Sequence, residues 1–92
     1  MSDRAGARWA ADPKAFAVVV GEAVRRHRQA LGWTQVHLAE AAGLSPNYVA
    51  RLERGELGAS LFVAHQLART LKIAVGDLYE PPQRTTRRRI AG

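Results

Sequence analysis

Apolar residues recur at helical spacing through the first third of the chain. Asp12 followed by Pro13 is typical of an N-cap and a first helical residue, and Gly32 ends the segment. Between them a largely apolar stripe follows the offsets i, i+3, i+4 and i+7: Phe16, Val19, Val20, Ala23, Val24, His27, Ala30 and Leu31. This pattern predicts one helix, which Gly21 weakens slightly.

Two shorter helices are predicted next, joined by a three-residue turn. The first begins after the cap Thr34 and ends at Gly43. The second begins with Ser45-Pro46, which repeats the cap-and-proline signal, and ends at Gly55. Their predicted buried residues are Leu38, Ala39, Ala42, Val49 and Leu52.

The remaining pattern predicts two more helices before Pro81-Pro82 ends the domain. Ser60 caps a fourth helix, and its predicted inward-facing residues are Leu61, Ala64, Leu67, Ala68 and Leu71. A fifth helix of one or two turns holds Val75, Leu78 and Tyr79. Because no segment shows the period-two alternation of a strand, the sequence predicts an all-α domain of five short helices over residues 13–80.

Composition narrows the function classes without choosing one. The 92 residues allow one domain, and the absence of cysteine excludes disulfides, cysteine metal sites and a cysteine nucleophile. Because His27, His37 and His65 show no short ligand spacing, no metal is expected, and no other cofactor is indicated. The longest apolar stretch, residues 15–20, is too short to span a membrane. We therefore expect a cytoplasmic protein with no membrane partner.

The net charge of +6 is unevenly distributed. Residues 1–12 are neutral overall and lack a helical period, which predicts a flexible N-terminal arm. Residues 81–92 form a basic C-terminal tail, because they carry four arginines and no acid. Such a charge distribution suits a nucleic-acid partner, although a GC-rich genome also enriches arginine. A phosphate-binding tail and a tail without a DNA contact both remain open.

The two short helices and their turn carry the most specific signal. Ala39 is small enough for two helices to cross, and Gly43 can take the positive φ of a sharp turn. Leu44 is predicted to fill the turn. The outward face of the next helix is polar and reads Asn47, Tyr48, Arg51 and Arg54. A helix with such a face has the shape and the chemistry to enter a DNA major groove.

These residues resemble the Cro/C1-type helix-turn-helix family, also called the XRE family. The resemblance covers residues 16–80 and is carried by the strings LGWTQVHLAEAAGLSPNYVARLERGE and SLFVAHQLARTLKIAVGDLYE. It implies a lambda-repressor-like fold and a sequence-specific transcriptional regulator of double-stranded DNA, such as a repressor or a controller protein. The third helix, at about residues 46–54, would lie in the major groove.

The resemblance also implies roles for individual residues. It assigns DNA contacts to Thr34, Gln35, Ser45, Asn47, Tyr48, Arg51 and Arg54. Gln35 would contact a phosphate or a nearby base, Asn47 an adenine or a phosphate, and Arg51 guanine O6 and N7. Tyr48 would contact a thymine methyl or a phosphate, and Arg54 a phosphate. Arg28 and Glu53 would form a structural ion pair that ties the first helix to the end of the third.

Five residues depart from the family pattern, and one of them is Phe62, which stands where the family is usually polar. Pro46 replaces a side chain that reads a base in several relatives, so readout should depend on Asn47 and Arg51. His37 stands where a glutamate often completes the capping box with the preceding threonine. Ala74 stands where a serine or threonine often caps the last helix, and Glu56 would repel the phosphate path modestly.

Two partners and two rival functions follow from the same residues. A homodimer is expected, because one domain reads few base pairs and two copies would bind half-sites roughly 34 Å apart. The alternative is a protein-interaction module, such as an antitoxin or a bridging factor, with a partner on the surface around Phe62. Phe62 folded back on Trp33 or a loop is equally consistent with the sequence. An enzyme is not expected, because no nucleophile–base pair or cofactor loop is recognisable.

Overall fold

The computed structural model describes residues 8–79, and over that range the chain is all α-helical with no strand. The elements are α1 (Arg8–Ala11), α2 (Pro13–Ala30), α3 (Gln35–Ala42), α4 (Pro46–Glu53), α5 (Leu61–Leu71) and a 3₁₀ helix (Val75–Leu78). The predicted all-α class is confirmed. The predicted count of five helices is not, because the last element is a single 3₁₀ turn and four α-helices have eight residues or more within 8–79.

The ends of the chain bear on two further predictions. Arg8–Ala11 forms one helical turn inside the segment predicted as an arm. Residues 1–7 and the basic tail at 81–92 lie outside the described residues, so the arm and the tail remain predictions.

Side-chain caps explain where the four longer helices begin. The oxygen of the N-cap residue accepts a backbone N–H in each case: Asp12 from Lys14, Thr34 from His37, Ser45 from Tyr48 and Ser60 from Val63. These bonds satisfy amides that have no partner inside the helix. The caps therefore lie at the positions that the sequence predicts.

The core fills the space between α2, α3, α4 and α5. Four leucines and two valines are the largest side chains with less than 2% exposure: Leu38, Leu52, Leu67, Leu78, Val24 and Val49. Burying each such side chain stabilises the fold by about 1.5–3 kcal/mol. Leu78 comes from the 3₁₀ helix, so this short element closes the core although it is only one turn long.

The inward prediction for Leu61 is wrong, because its side chain is 80% exposed. Leu61 is the first residue of α5, and the buried face of that helix begins one turn later at Ala64. Leu31 is likewise 44% exposed, because it lies at the C-cap of α2, past the end of the helix. Both residues fit the helical period, but the core does not extend to the helix termini where they lie.

Gly21 has a role that its helix propensity does not indicate. It is buried in the middle of α2, against the C-terminal end of α4. A Cβ atom at this position would clash with the carbonyl oxygen of Leu52 and would lie 2.9 Å from that of Glu53. The missing side chain therefore lets α2 and α4 approach closely.

Candidate nucleic-acid interface

The turn between α3 and α4 has the geometry that its sequence predicts. Gly43 adopts φ 75° and ψ 29°, in the left-handed region that favours glycine. The Leu44 amide donates to the Ala39 carbonyl at 2.8 Å, and the Leu44 side chain packs against the core. Ala39 is fully buried between the helices. These contacts fix the angle at which α4 leaves α3.

Helix α4 has one buried face and one exposed face. Val49 and Leu52 are fully buried, whereas Ser45, Asn47 and Arg51 are exposed. Asn47 and Arg51 are four residues apart, so they are neighbours along the helix surface. The eight residues of α4 span about 12 Å, and the major groove is also about 12 Å wide.

The starts of α3 and α4 present backbone amides as well as hydroxyls. The amides of Gln35 and Val36 precede the first hydrogen bonds of α3, whereas Pro46 has no amide hydrogen and leaves only Asn47 in this position on α4. Unpaired amides at a helix N-terminus bind phosphate well. The Thr34 hydroxyl accepts a capping bond but can still donate one.

Gln35 connects α3 to α4 instead of extending away from the domain. Its Nε2 donates to Oε1 of Glu53 at 2.9 Å, and the pair is partly buried. One amide hydrogen and the amide oxygen of Gln35 have no recorded partner among residues 8–79. These groups of Gln35 are therefore available for a DNA contact while its Nε2 remains bound to Glu53.

Arg28 and Glu53 form a buried ion pair between α2 and the end of α4. Arg28 Nε donates to Oε2 of Glu53 at 2.7 Å and Nη2 donates to Oε1 at 2.9 Å. Arg28 Nη1 also donates to the Trp33 carbonyl at 2.8 Å. The hydrogen bond to Glu53 raises the pKa of Arg28 against the opposing effect of burial. The side chains are 10% and 3% exposed, so this pair holds α4 firmly against the body of the domain.

A second ion-pair cluster lies just beyond α4 and is centred on Glu56. Oε1 of Glu56 accepts from Arg51 Nε at 3.3 Å, and Oε2 accepts from Arg54 Nε at 2.6 Å. Hydrogen bonds first from Arg54 and then from Arg51 lower the pKa of Glu56, against the effect of desolvation. The pairing with Glu56 raises the pKa of Arg54. Glu56 is therefore paired with both arginines that were predicted to contact DNA.

A glycine signal in the sequence could have located Glu56. The Gly55 amide donates to the Leu52 carbonyl at 3.0 Å, and the Glu56 amide donates to the Arg51 carbonyl at 3.0 Å. With Gly55 at φ 76°, these two bonds form a Schellman motif, in which the residue after the glycine returns over the last helical turn. An Arg-x-x-Arg-Gly-Glu string at a helix end thus places the acid beside both bases.

Two predicted contact residues remain, which are Tyr48 on α4 and Phe62 on α5. Tyr48 is half-buried against the core, and burial raises the pKa of its phenol. The ring that stacks on Trp33 is His37, with centroids 4.4 Å apart, whereas Phe62 is 67% exposed. Phe62 shares a shallow apolar hollow with Leu61, His65 and Val75. No helix within residues 8–79 is long and apolar enough to cross a bilayer.

Comparison with known proteins identifies the family. The sequence model of the helix-turn-helix family matches residues 24–78. An HTH-type transcriptional regulator of Methanothermobacter thermautotrophicus is 44% identical over 48 residues, which are 52% of this chain and 70% of that protein.

Two solved structures share the fold. The restriction-modification controller protein C.AhdI of Aeromonas hydrophila has a TM-score of 0.70 and 37% identity, over 74% of this chain and 99% of its own. The clp gene regulator ClgR of Corynebacterium glutamicum has a TM-score of 0.66 and 33% identity, over 68% of this chain and 82% of its own. These three relatives are named as a transcriptional regulator, a controller protein and a gene regulator. The chain therefore belongs to the Cro/C1-type helix-turn-helix family and is a DNA-binding transcriptional regulator.

Proposed function

We propose that this regulator reads specific DNA sequences by placing α4 in the major groove. One observation carries the proposal: Arg51 lies on the exposed face of α4, and its two terminal nitrogens have no recorded partner among residues 8–79. A guanidinium with both terminal nitrogens available can bind guanine O6 and N7 together. Behind it, the Arg28–Glu53 pair keeps the helix rigid.

The other predicted contacts divide into those that would read bases and those that would position the protein on phosphates. Asn47, one turn before Arg51, would bind an adjacent adenine through its amide. The amides at the start of α3, together with Thr34 and Gln35, would bind a phosphate, and Ser45 and Arg54 would bind others. Tyr48 would meet a thymine methyl at the edge of α4. Phosphate contacts fix the register of the protein, whereas base contacts specify the sequence.

Selection of duplexes from a random pool tests the proposal. Wild-type protein should enrich a motif that contains a guanine at a fixed position. Arg51→Ala should lose preference at that one position, with a cost of about 1–3 kcal/mol on the selected site. Arg69→Ala removes the same charge from α5 and serves as the control. If Arg51→Ala weakens binding equally on every sequence, as a phosphate contact would, the assignment of Arg51 is wrong.

We further propose that two copies bind together, at the nucleoid where the DNA lies. Because α4 spans about 12 Å and base pairs stack about 3.4 Å apart, one copy reads only three or four pairs. The exposed apolar hollow around Leu61, Phe62 and Val75 offers a surface for a second copy.

Sedimentation equilibrium measures the association directly. Wild-type protein should form dimers at micromolar concentration, and Phe62→Lys should shift it to monomers. Leu31→Lys, which adds the same charge at a 44% exposed leucine of another face, should leave the dimer intact. A wild-type monomer would contradict this surface, and binding of an unrelated protein to a monomer would favour the protein-interaction alternative.

A further inference from the structure

We propose that Glu56 is a specificity-determining residue: its carboxylate orients Arg51 for base reading and keeps Arg54 from binding phosphate indiscriminately. The role rests on the proposed DNA interface of α4. Arg51, Arg54 and Glu56 are 47%, 57% and 43% exposed, so all three side chains lie at the surface that would meet DNA.

The two arginines differ in how many guanidinium nitrogens donate to the carboxylate of Glu56. Arg51 donates through Nε alone, which leaves the terminal fork of Nη1 and Nη2 without a partner among residues 8–79. That fork is the pair of donors that matches guanine O6 and N7. An arginine held at Nε in the free protein has less conformational freedom to lose on binding, so the contact favours readout by Arg51.

Arg54 is engaged by two donors at once. Its Nε donates to Oε2 of Glu56 at 2.6 Å and its Nη2 donates to Oε1 at 3.3 Å. This bidentate arrangement is the one that a phosphate would use. A DNA phosphate must therefore displace the carboxylate before it can bind the same edge of Arg54. On non-specific DNA, where few other contacts form, that competition weakens binding.

The backbone determines the position of Glu56. Its amide bonds to the Arg51 carbonyl, and Gly55 holds the turn in the left-handed region. The backbone therefore holds the carboxylate of Glu56 beside both arginines. The lowered pKa of Glu56 keeps the carboxylate ionised at neutral pH. One carboxylate therefore partly offsets the charge of two guanidinium groups at the C-terminal end of α4.

Removal of that charge should change non-specific and specific binding differently. Glu56→Gln keeps the shape of the side chain but frees both arginines from an ionic partner. Non-specific affinity should rise about three- to tenfold at low salt, because Arg54 then neutralises one more phosphate. The slope of log affinity against log salt should steepen by about 0.9 per chain on non-specific DNA. Affinity for the selected site should rise less, so the specificity ratio falls.

The experiment measures the ratio of selected-site to random-duplex affinity for four proteins across a salt series. Wild type is compared with Glu56→Gln, with Glu22→Gln and with Arg51→Ala. Glu22 is an exposed glutamate of α2 that forms no ion pair with Arg51 or Arg54, so its variant makes the same change in net charge and leaves the Glu56 cluster intact. Because exposed ion pairs stabilise little, Glu56→Gln should melt close to the wild type.

The outcomes separate the two proposals. A ratio that falls at least threefold in Glu56→Gln but stays within twofold in Glu22→Gln supports the role of Glu56. Equal ratios in these two variants overturn it, since net charge alone would then explain the change. If Arg51→Ala retains the wild-type ratio, the proposed reading of a base by Arg51 fails. If only Arg51→Ala lowers the ratio, the interface stands and Glu56 has no part in specificity.

Discussion

Gly21→Ala should destabilise the domain although alanine is the better helix former. In an exposed helix this substitution stabilises by about 1 kcal/mol. Here the new methyl group would meet main-chain oxygens of Leu52 and Glu53, the latter at 2.9 Å, and no side-chain rotation can move those atoms away. Relief requires α2 and α4 to separate, which also loosens the packing of Leu52.

The expected size follows from two opposing effects. Overpacking a well-filled interface typically costs about 1–3 kcal/mol, and backbone atoms as the obstacle favour the upper part of that range. Subtracting the propensity gain leaves a net loss of about 1–2 kcal/mol. Because 1 kcal/mol corresponds to about 4–8 °C for a domain of this size, Tm should fall by about 4–16 °C.

Thermal unfolding followed by circular dichroism measures this loss, and Gly76→Ala is the matched control. Gly76 lies in the 3₁₀ helix, where a Cβ would have nothing within 4 Å. Its substitution should change the free energy of unfolding by less than about 0.5 kcal/mol. A Gly21→Ala protein as stable as Gly76→Ala, or more stable than the wild type, would refute the close approach of α2 and α4.

Two further predictions concern charge. Arg28→Ala or Glu53→Ala should lower the free energy of unfolding by about 3–5 kcal/mol, because each leaves a buried charge unpaired. Chemical denaturation should show a far smaller loss for Glu22→Ala, and equal losses would mean that the buried pair is not formed in solution. Deletion of residues 83–92 should flatten the salt dependence of operator binding by roughly 2–4 units for a dimer, if the tail binds phosphates. Superimposable slopes for the full-length and truncated proteins would rule out a DNA contact by the tail.

Local signals predicted the helices well because their causes are local. Thr34, Ser45 and Ser60 cap helices within three residues of themselves, and Gly43 turns the chain by its own backbone conformation. The type of the last helix, Val75–Leu78, is harder to predict from the sequence, because Ala74 offers no side-chain cap. Its amide instead donates to the Asp77 carboxylate at 3.1 Å, and only a 3₁₀ turn follows.

Features that depend on distant segments could not be predicted in this way. Gly21 is constrained by Leu52, which is thirty-one positions away in the sequence. Helix propensity alone therefore does not predict that α2 and α4 need a glycine where they meet. Leu61 fits the helical period, but the core ends before it is reached. The sequence shows that Glu56 is an acid near the predicted phosphate path but not that it pairs with arginines, because the pairing depends on the turn that Gly55 makes. The DNA roles of Asn47 and the other polar residues stay predictions, because they depend on a partner.

The central claim is that Arg51 reads a guanine from the major groove. The most direct test replaces each guanine of the selected site, one at a time, with 7-deazaguanine, which lacks the N7 acceptor. Wild-type protein should lose about 1–3 kcal/mol of binding free energy at one guanine per half-site. Arg51→Ala, already weaker on the unmodified site, should lose nothing more at that guanine and should respond like the wild type at all others. Identical losses in the two proteins at every guanine would contradict the claim.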